Sequence, residues 1–133
     1  MEIQTADLRN FSMRAREIAQ KIIDAYGKDP AEYDGVEQQA LSAVAFGAIT
    51  VPFYEEGKVS MAELQGVMMG IFITQFKYDA EIVMSYFDFL AQCTQKEFHP
   101  AMNAIIHLGI DAYDALDRPE DLRDGLYQII ASL

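Results

Sequence analysis

The sequence predicts an all-α fold, a single bundle of about six helices over residues 1–133, and three observations carry that expectation. Apolar residues recur at helical steps along most of the chain, and no run alternates convincingly over five or more residues, apart from a helix-compatible patch near Thr50. Three of the four prolines, Pro30, Pro100 and Pro119, fall between the periodic stretches or at their starts, where they punctuate. At 133 residues and 51% hydrophobic, the chain suits one domain and can hide roughly two-thirds of its unfolded surface.

Leu8, Phe11, Ala15, Ile18, Ile22 and Tyr26 follow steps of three and four, one face of a first helix. Arg9, Arg16, Glu17, Gln20, Lys21 and Asp24 fall opposite. Thr5 suits its N-cap and Gly27 a left-handed stop. Lys28 to Gly35 reads as a turn around Pro30. A second helix is expected from Val36 to Tyr54, apolar nearly all round and therefore central, with Pro52 predicting a kink or an early end.

Ser60 and Glu63 form a capping box that opens a third helix, Met61 to about Tyr78. Gly66 and Gly70 in it predict close backbone approach to a neighbouring helix. Asp79 is placed to cap a fourth helix, Ala80 to about Lys96, with Ile82, Val83, Tyr86, Phe87, Leu90 and Cys93 inward. His99-Pro100 opens a fifth, with Met102, Ile105, Ile106, Gly109, Ile110 and Tyr113 on its core face. Arg118-Pro119 breaks the chain before a last helix, Glu120 to about Ala131. Met61, Met68, Met69 and Met84 read as core.

Composition excludes several functions. With one cysteine, Cys93, there is no internal disulfide and no multi-cysteine zinc cage. A formal charge of −11 argues against wrapping nucleic acid, since phosphate contacts need Lys and Arg. The N-terminus has no basic region followed by an apolar run, so no secretory signal is expected. The uncharged stretches Gln38–Tyr54 and Leu64–Phe76 read as buried helices of a soluble bundle, not membrane spans. A lone free thiol fits a reducing cytoplasm.

Chemistry is thinly represented. Asn103, His107, Asp111 and Asp114 share one side of the fifth helix, so His107 and Asp111 are the pair that could share a proton or a metal. A zinc site wants three protein ligands with second-shell support, and no other His-rich element exists. A solvated polar stripe, with Asp111 hydrogen-bonded to His107, is the simpler expectation. Nucleotide-binding and common hydrolase motifs are absent, and neither a cofactor nor an enzymatic reaction is expected.

Charge placement says more. Residues 1–28 balance five basic against four acidic side chains, which leaves five basic and seventeen acidic for residues 29–133. One acidic block runs from Asp29 to Glu63 and another from Glu97 to Asp124. Such a surface attracts a basic protein and speeds encounter with it. Tyr26, Tyr33 and Tyr54 lie beside the first block as candidate aromatic anchors. The expected contact residues are Glu32, Tyr33, Asp34 and Glu37 on one edge and Asp111, Asp114 and Asp117 on the other.

Residues 8–51, with the run AREIAQKIIDAYG, the Asp29-Pro30 turn and the helix start EQQALSAVAFG, resemble the opening of small helical immunity proteins of bacterial polymorphic toxin systems, in particular immunity family forty-eight. The resemblance implies a non-enzymatic cytoplasmic protein that binds and neutralises one cognate toxin domain. It brings no catalytic residues. A basic cleft on the toxin is the expected target, and the chain is expected as a monomer or homodimer that binds neither nucleic acid nor membrane. Two other classes stay open, an acidic chaperone or adaptor for a secreted effector and a small helical ligand-binding protein.

Overall fold

The computed structural model describes residues 6–133, which form six α-helices and no strand. They are α1 (Ala6–Tyr26), α2 (Gly35–Glu56), α3 (Met61–Thr74), α4 (Val83–Gln92), α5 (Pro100–Ala112) and α6 (Pro119–Ala131). Phe11, Ala15, Ile18, Ile22 and Tyr26 are buried along α1, as their spacing predicts, and Gly27 ends it in the left-handed region at φ +84°. Thr5, the expected N-cap, lies outside the described residues.

α2 is the central element. Every residue from Ala40 to Thr50 is buried, because α1 and α5 flank it and α3 and α6 also touch it. It begins one residue before the expected start, at an unforeseen capping box. The Asp34 carboxylate accepts from the Glu37 N–H at 2.8 Å and Glu37 returns the bond at 2.9 Å. Pro52 does not end the helix, which continues to Glu56 and stops at Gly57, left-handed at φ +62°. Proline forfeits only one backbone donor, and carrying the helix past it buries Pro52 itself and sets Phe53 edge-on to Phe11, centroids 6.1 Å apart.

α3 opens at the Ser60–Glu63 box as expected but stops at Thr74, four residues early. Lys77 adopts φ +64° and its Nζ takes the Thr74 carbonyl at 3.0 Å, closing an orphan acceptor of the helix end. The reversal buries Phe76 and brings the Tyr78 ring against Phe72 and Tyr86. There the hydroxyls of Tyr78 and Tyr86 lie 3.0 and 2.7 Å from Ser42 Oγ on α2. α4 is shorter than expected at both ends. Asp79 belongs to a turn rather than a cap, which leaves Ile82 46% exposed instead of inward. At its far end the Asn103 amide donates to the Cys93 and Thr94 carbonyls, at 2.9 and 3.3 Å, and so terminates the helix from α5.

Close backbone approach occurs, but elsewhere than expected. A Cβ on Gly66 or Gly70 would meet nothing within 4 Å. The tight crossing is α2 on α5, where a Cβ on Gly47 would overlap the Ile106 carbonyl and one on Gly109 the Val44 carbonyl. Helical spacing alone does not say which glycine meets a neighbour. The methionines divide as well: Met68 is buried and Met69 half-buried, while Met61 and Met84 are more than half exposed. Among the described residues, no helix is long and apolar enough to cross a membrane.

Candidate protein-binding face

The first acidic block does not form one surface. Asp29, Glu32, Asp34 and Glu37 sit at the start of α2, whereas Glu55 and Glu56 close its far end and Glu63 follows in α3, separated by about 28 Å of helix. Tyr54 travels with the distant group and stacks edge-on with Phe53, away from Tyr26 and Tyr33. Glu56 is held by Arg14 at 3.2 Å, and the same guanidinium donates to the Tyr113 hydroxyl.

At the near pole the side chains are committed to the fold. Glu37 is 6% exposed and accepts from the Tyr26 hydroxyl, the Asp34 N–H and Lys28 Nζ, the last at 2.8 Å. The Lys28 ammonium, with the Tyr26 hydroxyl beside it, holds this carboxyl down to about 2. Burial and then the Glu37 charge push the Tyr26 phenol above its usual range. Asp34 is spent on its cap. Tyr33 is half-buried, its ring edge-on to Tyr26 at 5.8 Å, and its hydroxyl is enclosed without a partner. Glu32 is exposed and its carboxylate makes no hydrogen bond. α6 closes this pole, with Arg123 and Tyr127 donating to the Ala25 and Tyr26 carbonyls at 2.8 and 3.1 Å.

The other edge is built differently. α5, the 3-10 turn Tyr113–Ala115, the short connection after it and α6 carry Asp111, Asp114, Asp117, Glu120, Asp121 and Asp124, all exposed. Asp117 pairs with Lys21 on α1 at 3.0 Å, and Arg118 with Asp121 at 3.1 Å. The carboxylates of Asp111 and Asp114 make no hydrogen bond or ion pair. Between α5 and α6, with Asp111 and Asp121 in its lining, runs a groove of about 390 Å³ with an apolar floor.

The polar stripe on α5 is not brought together as a site. Asn103 faces inward and is used at the end of α4, while His107 and Asp111 are exposed and share no hydrogen bond. Among the described residues, no three His, Cys, Asp or Glu side chains are arranged to hold a metal. His99 caps α5, its Nδ1 accepting from the Met102 N–H at 3.1 Å. Cys93 is fully buried, and desolvation pushes its thiol up, away from the reactive thiolate.

Sequence reasoning missed the internal duty of Glu37. Its signal was present: Asp34 and Glu37 have the same three-residue separation as Ser60 and Glu63. The α5–α6 groove had no comparable signal, since it depends on how two helices sit. No curated protein and no solved structure matches the chain significantly. The family described as Immunity protein 48 does match it, over residues 11–133, far beyond the opening segment that carried the resemblance. With six helices in place and a match that runs to the last residue, the chain belongs to the Immunity protein 48 family.

Proposed function

We propose that this protein binds a cognate toxin domain in the cytoplasm and neutralises it by laying the acidic α5–α6 edge against a basic surface of the toxin. Membership of an immunity family supports the class of partner. The observation that carries the choice of face is that Asp111 and Asp114 are exposed and unspent within the chain. Carboxylates free of internal partners keep their field for an incoming cation, whereas Glu37 would have to abandon three bonds. Asp117 adds to the same edge beside Lys21.

Glu32, Tyr33, Asp34 and Glu37 form a second, smaller edge, and of these Glu32 is the carboxylate most available to a partner. A toxin that handles phosphate-bearing substrates needs a cationic cleft, and a carboxylate edge competes for that cleft with the charge the substrate would bring. The buried polar side chains Ser42, Thr50 and Asn103 close hydrogen bonds within the fold, so we assign no reaction to the interior.

The test is association with candidate toxin domains taken from the genes that neighbour this one, followed by stopped flow across a salt series with the domain that binds. Asp111→Lys, Asp114→Lys and Asp117→Lys together are expected to slow association about tenfold or more at low salt and to flatten its salt dependence. An on-rate that ignores this triple reversal overturns the choice of face. Failure of the wild-type chain to bind or protect against any of these domains overturns the function itself.

A further inference from the structure

We propose that the groove between α5 and α6 seats the apolar side chains of a cationic, amphipathic segment of the toxin, and that Gly125 keeps that groove open. This rests on the reading of the acidic edge given above and adds where the partner's apolar contacts go.

The groove of about 390 Å³ has Ala112, Leu122, Leu126 and Ile129 among its floor residues and Asp111 and Asp121 on its rim. Leu108 beside it is 41% exposed. Water over such a floor finds few polar partners, so displacing it with apolar side chains is favourable. The rim decides which apolar chain can enter. Asp111 has no partner in the fold, and Asp114 and Asp124 stand exposed on the same edge. A segment bearing Lys or Arg on the flanks of an apolar stripe satisfies both halves of this surface. A second copy of the chain, at a formal −11, brings the wrong sign.

Gly125 is the independent observation. It lies inside α6 and lines the groove, and a Cβ there would meet nothing within 4 Å. Glycine in a helix interior lowers stability relative to alanine. Gly47 and Gly109 have a reason for that cost in the α2–α5 crossing; Gly125, like Gly66 and Gly70 in α3, has none inside the chain, and of these three it is Gly125 that lines the apolar groove beside Asp111 and Asp121. An occupant that needs the full depth of the groove supplies the reason. α6, thirteen residues long, offers about 20 Å of groove wall, enough for several turns of a docked helix.

The experiment uses the full chain and the toxin domain that it binds. Gly125→Ala is expected to raise the Tm by about 2–4 °C, and Gly125→Met to stay folded with a Tm near that of the wild type. Gly125→Met is expected to bind the toxin at least tenfold more weakly, mainly through faster dissociation. Hydrogen exchange on the wild-type complex provides a measurement independent of any variant, with protection expected at residues 108–112 and 122–129. Wild-type affinity in Gly125→Met, or no protection in those two segments, overturns the groove. If the aspartate reversals weaken binding while Gly125→Met does not, the acidic edge stands and the groove alone falls. Absence of any wild-type complex instead removes the neutralisation reading on which both depend. Self-association of the wild type that Gly125→Met abolishes would assign the groove to a second copy and overturn the cationic occupant.

Discussion

Gly109 in α5 presses against the α2 backbone, whereas Gly125 in α6 faces open space. The acidic residues divide along the same line. Glu37, at the α1–α2 turn, is buried under a tyrosine, a lysine and a helix cap, while the carboxylates of Asp111 and Asp114 on the α5–α6 edge make no hydrogen bond or ion pair. On the α2 side, Gly47, Gly109 and Glu37 each answer to the fold, and the unpartnered Tyr33 hydroxyl is the exception there. On the α5–α6 edge Gly125 and Asp111 line one groove and have no such partner in the fold, and Asp114 stands exposed and unpaired in the turn that follows α5. That co-location is the ground on which this edge, and not the Glu37 pole, is proposed as the binding face.

The largest effect expected from breaking this contrast is at the crossing. Gly109→Ala sets a Cβ into the Val44 carbonyl, and neither atom has a rotamer by which to escape. The helices must move apart along their most extensive interface, at a cost of about 3 kcal/mol, which thermal unfolding reads as a Tm lower by roughly 10 °C. Gly125→Ala, the same substitution one helix later, is expected to stabilise by about 0.5–1 kcal/mol. If the two substitutions shift the Tm in the same direction, the distinction between the regions is wrong.

Next in size is Glu37. Glu37→Ala strands the Tyr26 hydroxyl and half of a capping box, an expected loss of about 2 kcal/mol by urea unfolding. Asp111→Asn and Asp114→Asn, by contrast, should each stay within about 0.5 kcal/mol of the wild type. Acid sharpens the comparison further. The folded Glu37 carboxyl is lowered from 4.5 to about 2, so as pH falls the unfolded chain takes up this proton first. Its contribution is therefore complete above about pH 4.5 and is lost as pH falls through about 2. The Tm gap between wild type and Glu37→Gln, measured from pH 7 down to pH 2, should hold constant and then close over that window. A gap that does not narrow would mean the carboxylate is not held by Lys28 and Tyr26 in solution.

What was legible in the sequence follows from which interactions are local. Steps of three and four marked the buried faces of α1, α2 and α5, and the Ser60–Glu63 box marked the start of α3, because those signals need only neighbouring residues. Helix ends set from outside were not legible: α4 stops where Asn103 reaches over from α5, and α3 stops where Lys77 turns left-handed to bury Phe76. Nor could spacing distinguish Gly70, which meets open space, from Gly109, which meets a backbone. The acidic edges were visible as counts, but a count does not tell a spent carboxylate such as Glu37 from a free one such as Asp114. That distinction is three-dimensional, and it redirects attention from the first edge to the second.

The smallest expected effect tests that redirection. The Tyr33 hydroxyl is enclosed near Glu37, Asp29 and Asp24 without a hydrogen-bond partner, and burial first, then those carboxylates, keep its phenol above the usual range and protonated. Tyr33→Phe removes an unsatisfied polar atom while leaving the ring edge-on to Tyr26, so stability should be unchanged or rise by about 0.5 kcal/mol. Because α6 separates this pole from the groove, with Arg123 and Tyr127 turned toward α1 and Gly125 toward the groove, toxin affinity should not change either. A tenfold loss of affinity in Tyr33→Phe would mean that this pole opens on binding and the toxin supplies the missing partner, which moves the interface to the Glu32 pole, since a phenol orphaned in the free protein and bonded in the complex is the mark of a surface that rearranges to meet its partner.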